Sequence, residues 1–200
     1  MKQLTNSSLS LGGGDVVDVR PLRRCDRAAL AAAFDRLSAD SRYLRFAAPK
    51  PQLSDRELDF LVDVDHHVHE ALLAIDPVSR RGVAVARYVR VPGEAEVVEI
   101  AATVADEWQG RGLGGALLAR LAERAREEGY ATMRATTMAV NRRSIAMLRR
   151  AGFRARSSAA GLRDYELELS LGPVDARAGG RYASATGRAE NALLGSHPCG

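Results

Sequence analysis

The run Gln109-Gly110-Arg111-Gly112-Leu113-Gly114-Gly115 has the residue types of an anion cradle. A β-branched, apolar stretch precedes it and an amphipathic stretch follows, so its glycines fall at a strand-to-helix turn. The first N–H groups of a helix have no carbonyl partner and lie at the positive end of its dipole, where phosphate groups bind. Glycines let that backbone approach a phosphate without interference from Cβ. A Walker loop needs Lys and then Ser or Thr after its last glycine, whereas Gly114 is followed by Gly115 and Ala116. A dinucleotide fingerprint needs G-x-G-x-x-G on the first strand-to-helix turn; here the order is Gly110-x-Gly112-x-Gly114, deep in the chain. A third spacing, Q/R-x-x-G-x-G/A, is filled by Gln109, Gly112 and Gly114. The expected ligand is a pyrophosphate held mainly by main chain. Glu99 is the second chemical feature. It stands ten positions before Gln109 among Val98, Ile100 and Ala101. Desolvation in such a strand raises a carboxyl pKa toward the range of a general base. The bland reading is a strand-edge acid facing solvent, and Glu96, nearer the Pro92-Gly93 turn, is the fallback acid.

These groups need a scaffold, and the hydrophobic pattern supplies one. Val16 to Arg24 alternates as a strand, and Asp26 is placed to cap a helix reaching about Leu37. Ser41 to Phe46 is a short helix or turn. Ser54 with Glu57 has capping-box spacing ahead of a helix bearing Leu58, Leu61 and Val62. Glu70 to Ile75, Val83 to Val91 and Glu96 to Ala105 read as strands. Leu117, Leu118, Leu121, Ala122 and Ala125 recur at helical spacing after the glycine loop, and Gly129 is placed to end that helix. Thr132 to Ala139 is a strand, Asn141 caps a second helix that ends at Gly152-Phe153, and two strands around a Gly161 turn follow. The expected organisation is a flexible arm over 1–14, one domain over 15–171, and a disordered Gly-, Ala-, Ser- and Arg-rich tail over 172–200.

Strand, glycine loop, helix, strand, Asn-capped helix, Gly-Phe and strand is the order of the GNAT acyl-CoA N-acyltransferases. Both the Gln109–Gly115 loop and the Asn141-x-x-Ser144 helix ending at Gly152-Phe153 resemble that family's recurrent segments. The likeness spans roughly Val16 to Leu171. It implies an α/β fold with a mixed, mostly antiparallel sheet, splayed where acyl-CoA enters and flanked by helices. By this resemblance, main-chain groups of Ala102, Val104 and Ala105 pair with pantetheine, and one N–H polarises the thioester. Gln109, Gly110, Arg111, Gly112, Leu113, Gly114 and Gly115 hold the pyrophosphate, with Arg111 adding charge, and Asn141 lies near the thiol. Glu99 falls where Pat-type protein-lysine acetyltransferases carry their catalytic glutamate. Leu37-Ser38-x-x-Ser41-Arg42-Tyr43-Leu44-Arg45-Phe46 and Val64 to Leu72 resemble segments of that subfamily. The tyrosine that many members place seven residues after the helix-opening Asn is Leu148 here, so a usual thiol-protonating acid is missing. The implied reaction is acetyl transfer from acetyl-CoA to a primary amine, with a protein lysine favoured. A small-molecule amine of the antibiotic type, or a CoA-binding regulatory module without turnover, are the alternatives.

Bulk properties agree with one soluble domain. The chain has 200 residues, 46% hydrophobic and 27% charged, with a formal net charge of +4. Lys2 and Lys50 are the only lysines, and no dense basic stripe with interleaved aromatics marks a nucleic-acid surface. No apolar run approaches the ~20 residues of a membrane span. Cys25 and Cys199 are the only cysteines, which fits a reducing cytoplasm without a structural disulfide. His66, His67 and His69 lie on an extended segment whose neighbours point to opposite faces, so no metal site is expected. Partners are an acyl donor and an amine, not nucleic acid or membrane; a homodimer fits the sequence, which does not specify oligomeric state.

Overall fold

In the strand-rich middle of the chain, apolar residues alternate or run together so that sheets form with one or both faces covered. A computed structural model describes residues 6–156 and 164–172, so the Gly161 turn, Cys199 and all but the first residue of the expected tail lie outside the described residues. The sheet has eight strands in the order β1-β2-β3-β4-β5-β6-β8-β7. They are β1 (Ser7–Ser10), β2 (Val16–Pro21), β3 (His69–Ile75), β4 (Gly82–Arg90), β5 (Val97–Val104), β6 (Thr132–Met138), β7 (Arg154–Ala155) and β8 (Asp164–Ser170). All neighbours are antiparallel except β5 and β6. That exception follows from the connection between them, which is a crossover helix rather than a hairpin. The mixed, mostly antiparallel α/β architecture expected from the sequence is the observed one.

Helices cover the two faces unequally. On one face α4 (Leu113–Glu127) and α5 (Arg142–Arg150) enclose the main core, with Val17, Leu72, Tyr88, Val98, Leu117, Leu121, Met133 and Leu167 nearly inaccessible. On the other, α1 (Arg27–Asp35) and α3 (Asp55–Val62) close a smaller core around Leu22, Leu30, Leu58, Ala71 and Leu73, and α2 (Ala39–Phe46) sets Phe46 edge-on against Phe34 of α1. The caps follow local chemistry. Ser54 and Glu57 form the expected capping box, and the Asn141 side chain accepts from the Ser144 N–H at 3.1 Å. Asp26 does not cap α1, because its carboxylate is taken by a two-pronged bond to Arg20 at 2.6 and 2.7 Å and by the Arg23 N–H.

The expected flexible arm is corrected in part: Ser7 to Ser10 pair with Val16 to Val19 as an edge strand, and Leu11 is buried in the main core. Polar serines hid this, because an edge strand has one wet face and needs few apolar residues. At the far end of α4, Glu70 and Arg124 form a buried ion pair at 3.3 Å, both about as inaccessible as the core. His66 Nδ1 lies 2.7 Å from the same carboxylate, and Arg124 also donates to the His66 carbonyl. This network ties the loop before β3 to the helix that carries the glycine turn. Substituting Arg124→Met removes one partner and strands the Glu70 charge, a loss of about 3 kcal/mol. A fall in Tm on the order of 10 °C is expected by thermal unfolding, with much of it recovered when Glu70→Leu is added. An unchanged Tm in the single variant contradicts a structural role for the pair.

Candidate active site

The parallel pairing of β5 and β6 stops early. Val97 to Ile100 pair with Thr132 to Ala135, and the strands then separate. β5 keeps its other neighbour to the end, with Ala84 opposite Val104. The flanking bonds fix which way each β5 residue points. Ala105 N–H donates to the Val83 carbonyl at 2.8 Å and Val91 N–H to the Val97 carbonyl at 2.9 Å. Antiparallel alternation between those bonds turns the main chain of 99, 101 and 103 toward β4, and that of 98, 100, 102 and 104 toward β6. Past Ile100 no β6 ladder meets it, so Ala102 and Val104 present an open strand edge. Gln109 Nε2 reaches the Val104 carbonyl at 3.2 Å. Ala105 is a correction to the expected pantetheine contacts: its N–H is taken by Val83 and its carbonyl by Trp108 N–H, so it offers no open main-chain group.

The gap widens into a cleft of about 1560 Å³ between β5, β6, α4 and α5. Its floor is the glycine turn. Gly110 and Gly112 have φ of 80° and 86°, a left-handed conformation that costs glycine nothing. Gly112 is the N-cap of α4 and no side chain caps that helix. The first helical bond is from Ala116 N–H to the Gly112 carbonyl at 3.1 Å, which leaves the N–H groups of Leu113, Gly114 and Gly115 without intrahelical partners. Space above Gly110, Gly112 and Gly115 is open. Gly114 has a different reason to be small: a Cβ there would come within 2.8 Å of Met147 Sδ on α5. Leu113 buries its side chain in the core and contributes only main chain. Asn141 lines the cleft on the opposite wall. Arg111 is already engaged, paired with Asp15 at 3.0 Å and lying 4.9 Å over the Trp108 ring, so it anchors the turn to the segment before β2.

A polar clasp that the sequence reading missed fixes the turn to α2. Asp106 accepts from the Ser38 N–H at 2.8 Å, the Ser38 hydroxyl at 3.0 Å and the Ser41 hydroxyl. Gln109 Nε2 adds a bond to Ser41 Oγ at 3.0 Å, and Arg143 of α5 reaches Gln109 Oε1 at 3.4 Å. Partial burial would push the Asp106 carboxyl up, but the bonds from Ser41 and Ser38 outweigh it and hold the pKa below the usual carboxylate range. The Ser38-x-x-Ser41 spacing was visible in the sequence; its partner, 65 residues on from Ser41, was not.

Glu99 departs from the half-buried setting expected from its apolar neighbours. Strand alternation sends Val98 and Ile100 into the main core and Glu99 to the other face, which it shares with Ala101 and Thr103. Its side chain is exposed rather than half-buried, and it accepts from Thr136 Oγ1 at 3.0 Å across the parted strands. Counting apolar neighbours along the chain overlooked that period of two. Leu148 is buried in the main core and brings no proton donor to the cleft. The histidines have protein partners: His66 meets Glu70, His67 meets Glu128 and His69 meets the Asp63 carbonyl. Among the described residues no group of three or more His, Cys, Asp or Glu could hold a metal, and no helix is long and apolar enough to cross a membrane.

The clasp makes a direct prediction. Replacing Asp106→Ala removes the acceptor of the Ser38 N–H, so hydrogen exchange at that amide should rise roughly tenfold or more. Unchanged protection there would mean that Asp106 does not hold α2 to the turn.

Comparison with known proteins agrees with this geometry. Residues 39–153 match the Acetyltransferase (GNAT) family. An acetyltransferase of Pseudomonas aeruginosa is 35% identical over 135 residues, covering 66% of this chain and 72% of its own. The crystal structure of the GNAT domain of Streptomyces lividans PAT superposes with a TM-score of 0.77 at 27% identity, over 82% of this chain and 96% of that one. A phosphinothricin acetyltransferase from Sinorhizobium meliloti, solved with acetyl-CoA, shares the fold with a TM-score of 0.65 at 20% identity, over 78% and 89% of the two chains. An open β5 edge above an uncapped glycine turn, together with a family match over more than half its length, shows that the chain belongs to the GNAT acetyltransferase family.

Proposed function

We propose that this acetyltransferase moves an acetyl group from acetyl-CoA to a primary amine, a protein lysine side chain, with Glu99 as the general base. The observation that carries this reading is the pairing of an open main-chain edge at Ala102 with an exposed carboxylate on the acceptor side of the same strand. Glu99 lies three positions before Ala102 on the strand, roughly 10 Å between Cα atoms. A glutamate side chain and an amine, or an amine and one water, span that distance. The N–H groups of Gly112 to Gly115 and the α4 dipole suit the diphosphate of CoA. The Ala102 N–H suits the thioester carbonyl, where it would stabilise the negative charge that develops on oxygen during attack.

A lysine ammonium has a reference pKa near 10.4, so it must lose a proton before it can attack. Glu99 accepts that proton directly or through water. The amine nitrogen then bonds to the thioester carbon and gives up its second proton to solvent, the carbon–sulfur bond breaks, and CoA leaves as thiolate. With Leu148 where many relatives have tyrosine, the sulfur takes its proton from solvent; a thiol pKa near 8.5 makes the thiolate an adequate leaving group without help. The likeness of Leu37 to Phe46 and of Val64 to Leu72 to Pat-type domains supports a protein lysine over a small amine.

Two variants separate the parts. Gly112→Asp places bulk and negative charge against the phosphates and should abolish CoA binding measured by calorimetry; retained affinity contradicts the cradle. Glu99→Gln should lower turnover ~10²-fold or more with CoA affinity nearly unchanged. Thiol release from acetyl-CoA, followed over protein-lysine and small-amine acceptors, reads that rate. Equal turnover in the variant removes Glu99 as base, activity on small amines alone removes the lysine acceptor, and binding without release on any acceptor favours a regulatory module.

A further inference from the structure

Two neighbouring cations, buried Arg87 and half-buried Arg45, have no acid bonded to them among the described residues. Arg87 of β4 is 5% exposed and uses Nη1 to reach the Leu61 carbonyl at 2.9 Å and His69 Nε2 at 3.0 Å. His69 donates through Nδ1 to the Asp63 carbonyl, which leaves Nε2 as a lone-pair acceptor. Burial, reinforced by the Arg87 charge, holds the His69 pKa below its usual value, so this ring is neutral and offsets nothing. Arg45, in the last turn of α2, lies 4.9 Å over the Phe46 ring and makes no hydrogen bond or ion pair among the described residues. Burial pushes both guanidinium pKa values down, that of Arg87 to about 10 with the Arg45 charge adding to it; the Glu99 field on Arg45 is the opposing influence. The contrast is Arg124, equally inaccessible, which has Glu70 and Glu128 bonded to it. A buried cation without a carboxylate partner is costly, and half-buried Arg45 adds a second positive charge beside buried Arg87.

Both side chains line an apolar, partly open cavity of about 60 Å³ between α1, α2 and the β3 to β5 face. Leu30, Phe34 and Leu61 wall it, and Ala101 and Thr103 of β5 border it. Arg45, Ala101 and Thr103 also border the large cleft, so the cavity opens beside the strand edge at Ala102. By the measure in which one water needs roughly 10–15 Å³, that volume holds several waters, and so has room for a carboxylate. An acetyl methyl group has no use for two guanidinium groups. We propose that Arg45 and Arg87 form a carboxylate subsite beside the acyl-transfer point, filled by a small carboxylate on the acyl group of the CoA thioester or on the amine acceptor. Planar guanidinium forks in a low-dielectric pocket match that ligand in charge and shape.

The test uses the full chain and has two arms. In the donor arm, calorimetry compares succinyl-CoA with butyryl-CoA, which has the same chain length without the charge. In the acceptor arm, thiol release from acetyl-CoA compares Nα-acetyl-lysine with its amide. One arm should favour the carboxylate at least tenfold, in Kd or in kcat/KM, and that arm identifies the source. Arg45→Gln, at a side chain with no hydrogen bond to lose, should bring the ratio within twofold while acetyl-CoA affinity stays within twofold. Arg87→Lys, which keeps the charge and loses the fork, should reduce the ratio as well. Ratios under twofold in both arms of the wild-type protein, or a preference that survives both substitutions, would overturn the subsite. Absence of acetyl-CoA binding by the wild type would instead overturn the cleft assignment, and the subsite with it.

Discussion

A strand that loses its neighbour halfway exposes main-chain donors and acceptors that must find another partner, since unpaired backbone groups shielded from water are costly. β5 is in that position after Ile100. Its β4 side remains fully paired, so the open groups of Ala102 and Val104 are held rigidly by an intact ladder. The rest of the site is arranged around this gap. The crossover that makes β5 and β6 parallel also delivers the N-terminus of α4 to the end of the gap, where the strand runs into the glycine turn. One topological feature therefore sets an extended hydrogen-bonding edge in line with the uncapped helix start, and the proposed ligand, a thioester joined to a diphosphate by a long amide-bearing arm, needs both.

Packing maintains the geometry from two sides. Met147 of α5 fits against Gly114, where a Cβ would intrude, so the second helix can lie close to the first turn of α4. Asp106 and Gln109 clasp α2 through Ser38 and Ser41, and Arg143 joins α5 to the same group. At the other end of α4, the Glu70–Arg124 pair fixes the helix to the loop before β3. The glycine turn leaves its amides uncapped while contacts at both ends hold the helix behind it. Arg111 serves the same end, tying the turn to Asp15.

Much of this was readable in the chain. The glycine turn, the amphipathic α4 and the Asn141 cap are local features, each fixed by residues within one or two turns of each other, and local chemistry decides them. The β5–β6 opening came from family resemblance and not from any residue pattern, because register depends on partners far apart in sequence. Glu99 shows the limit most clearly. Its neighbours are apolar, but β geometry faces them into a core that Glu99 does not share. Ala105 was one residue beyond the open edge for the same reason: alternation, not proximity, decides which amides are free. Ser7 to Ser10 formed an edge strand from serines, and the Asp106 clasp joined residues more than 60 positions apart. The juxtaposition of Arg45 and Arg87, neither bonded to an acid among the described residues, was also invisible, since a count of charges does not show which cations end up side by side.

The most direct measurement of the central claim is an amide-resolved NMR titration of the isotope-labelled protein with acetyl-CoA. The account predicts saturable shifts and slowed hydrogen exchange at Ala102 and at Gly112 to Gly115, with Ala105, already bonded to Val83, changing little. Binding that leaves those five amides unperturbed and protects a different set would show that neither the parted strand nor the glycine turn holds the thioester.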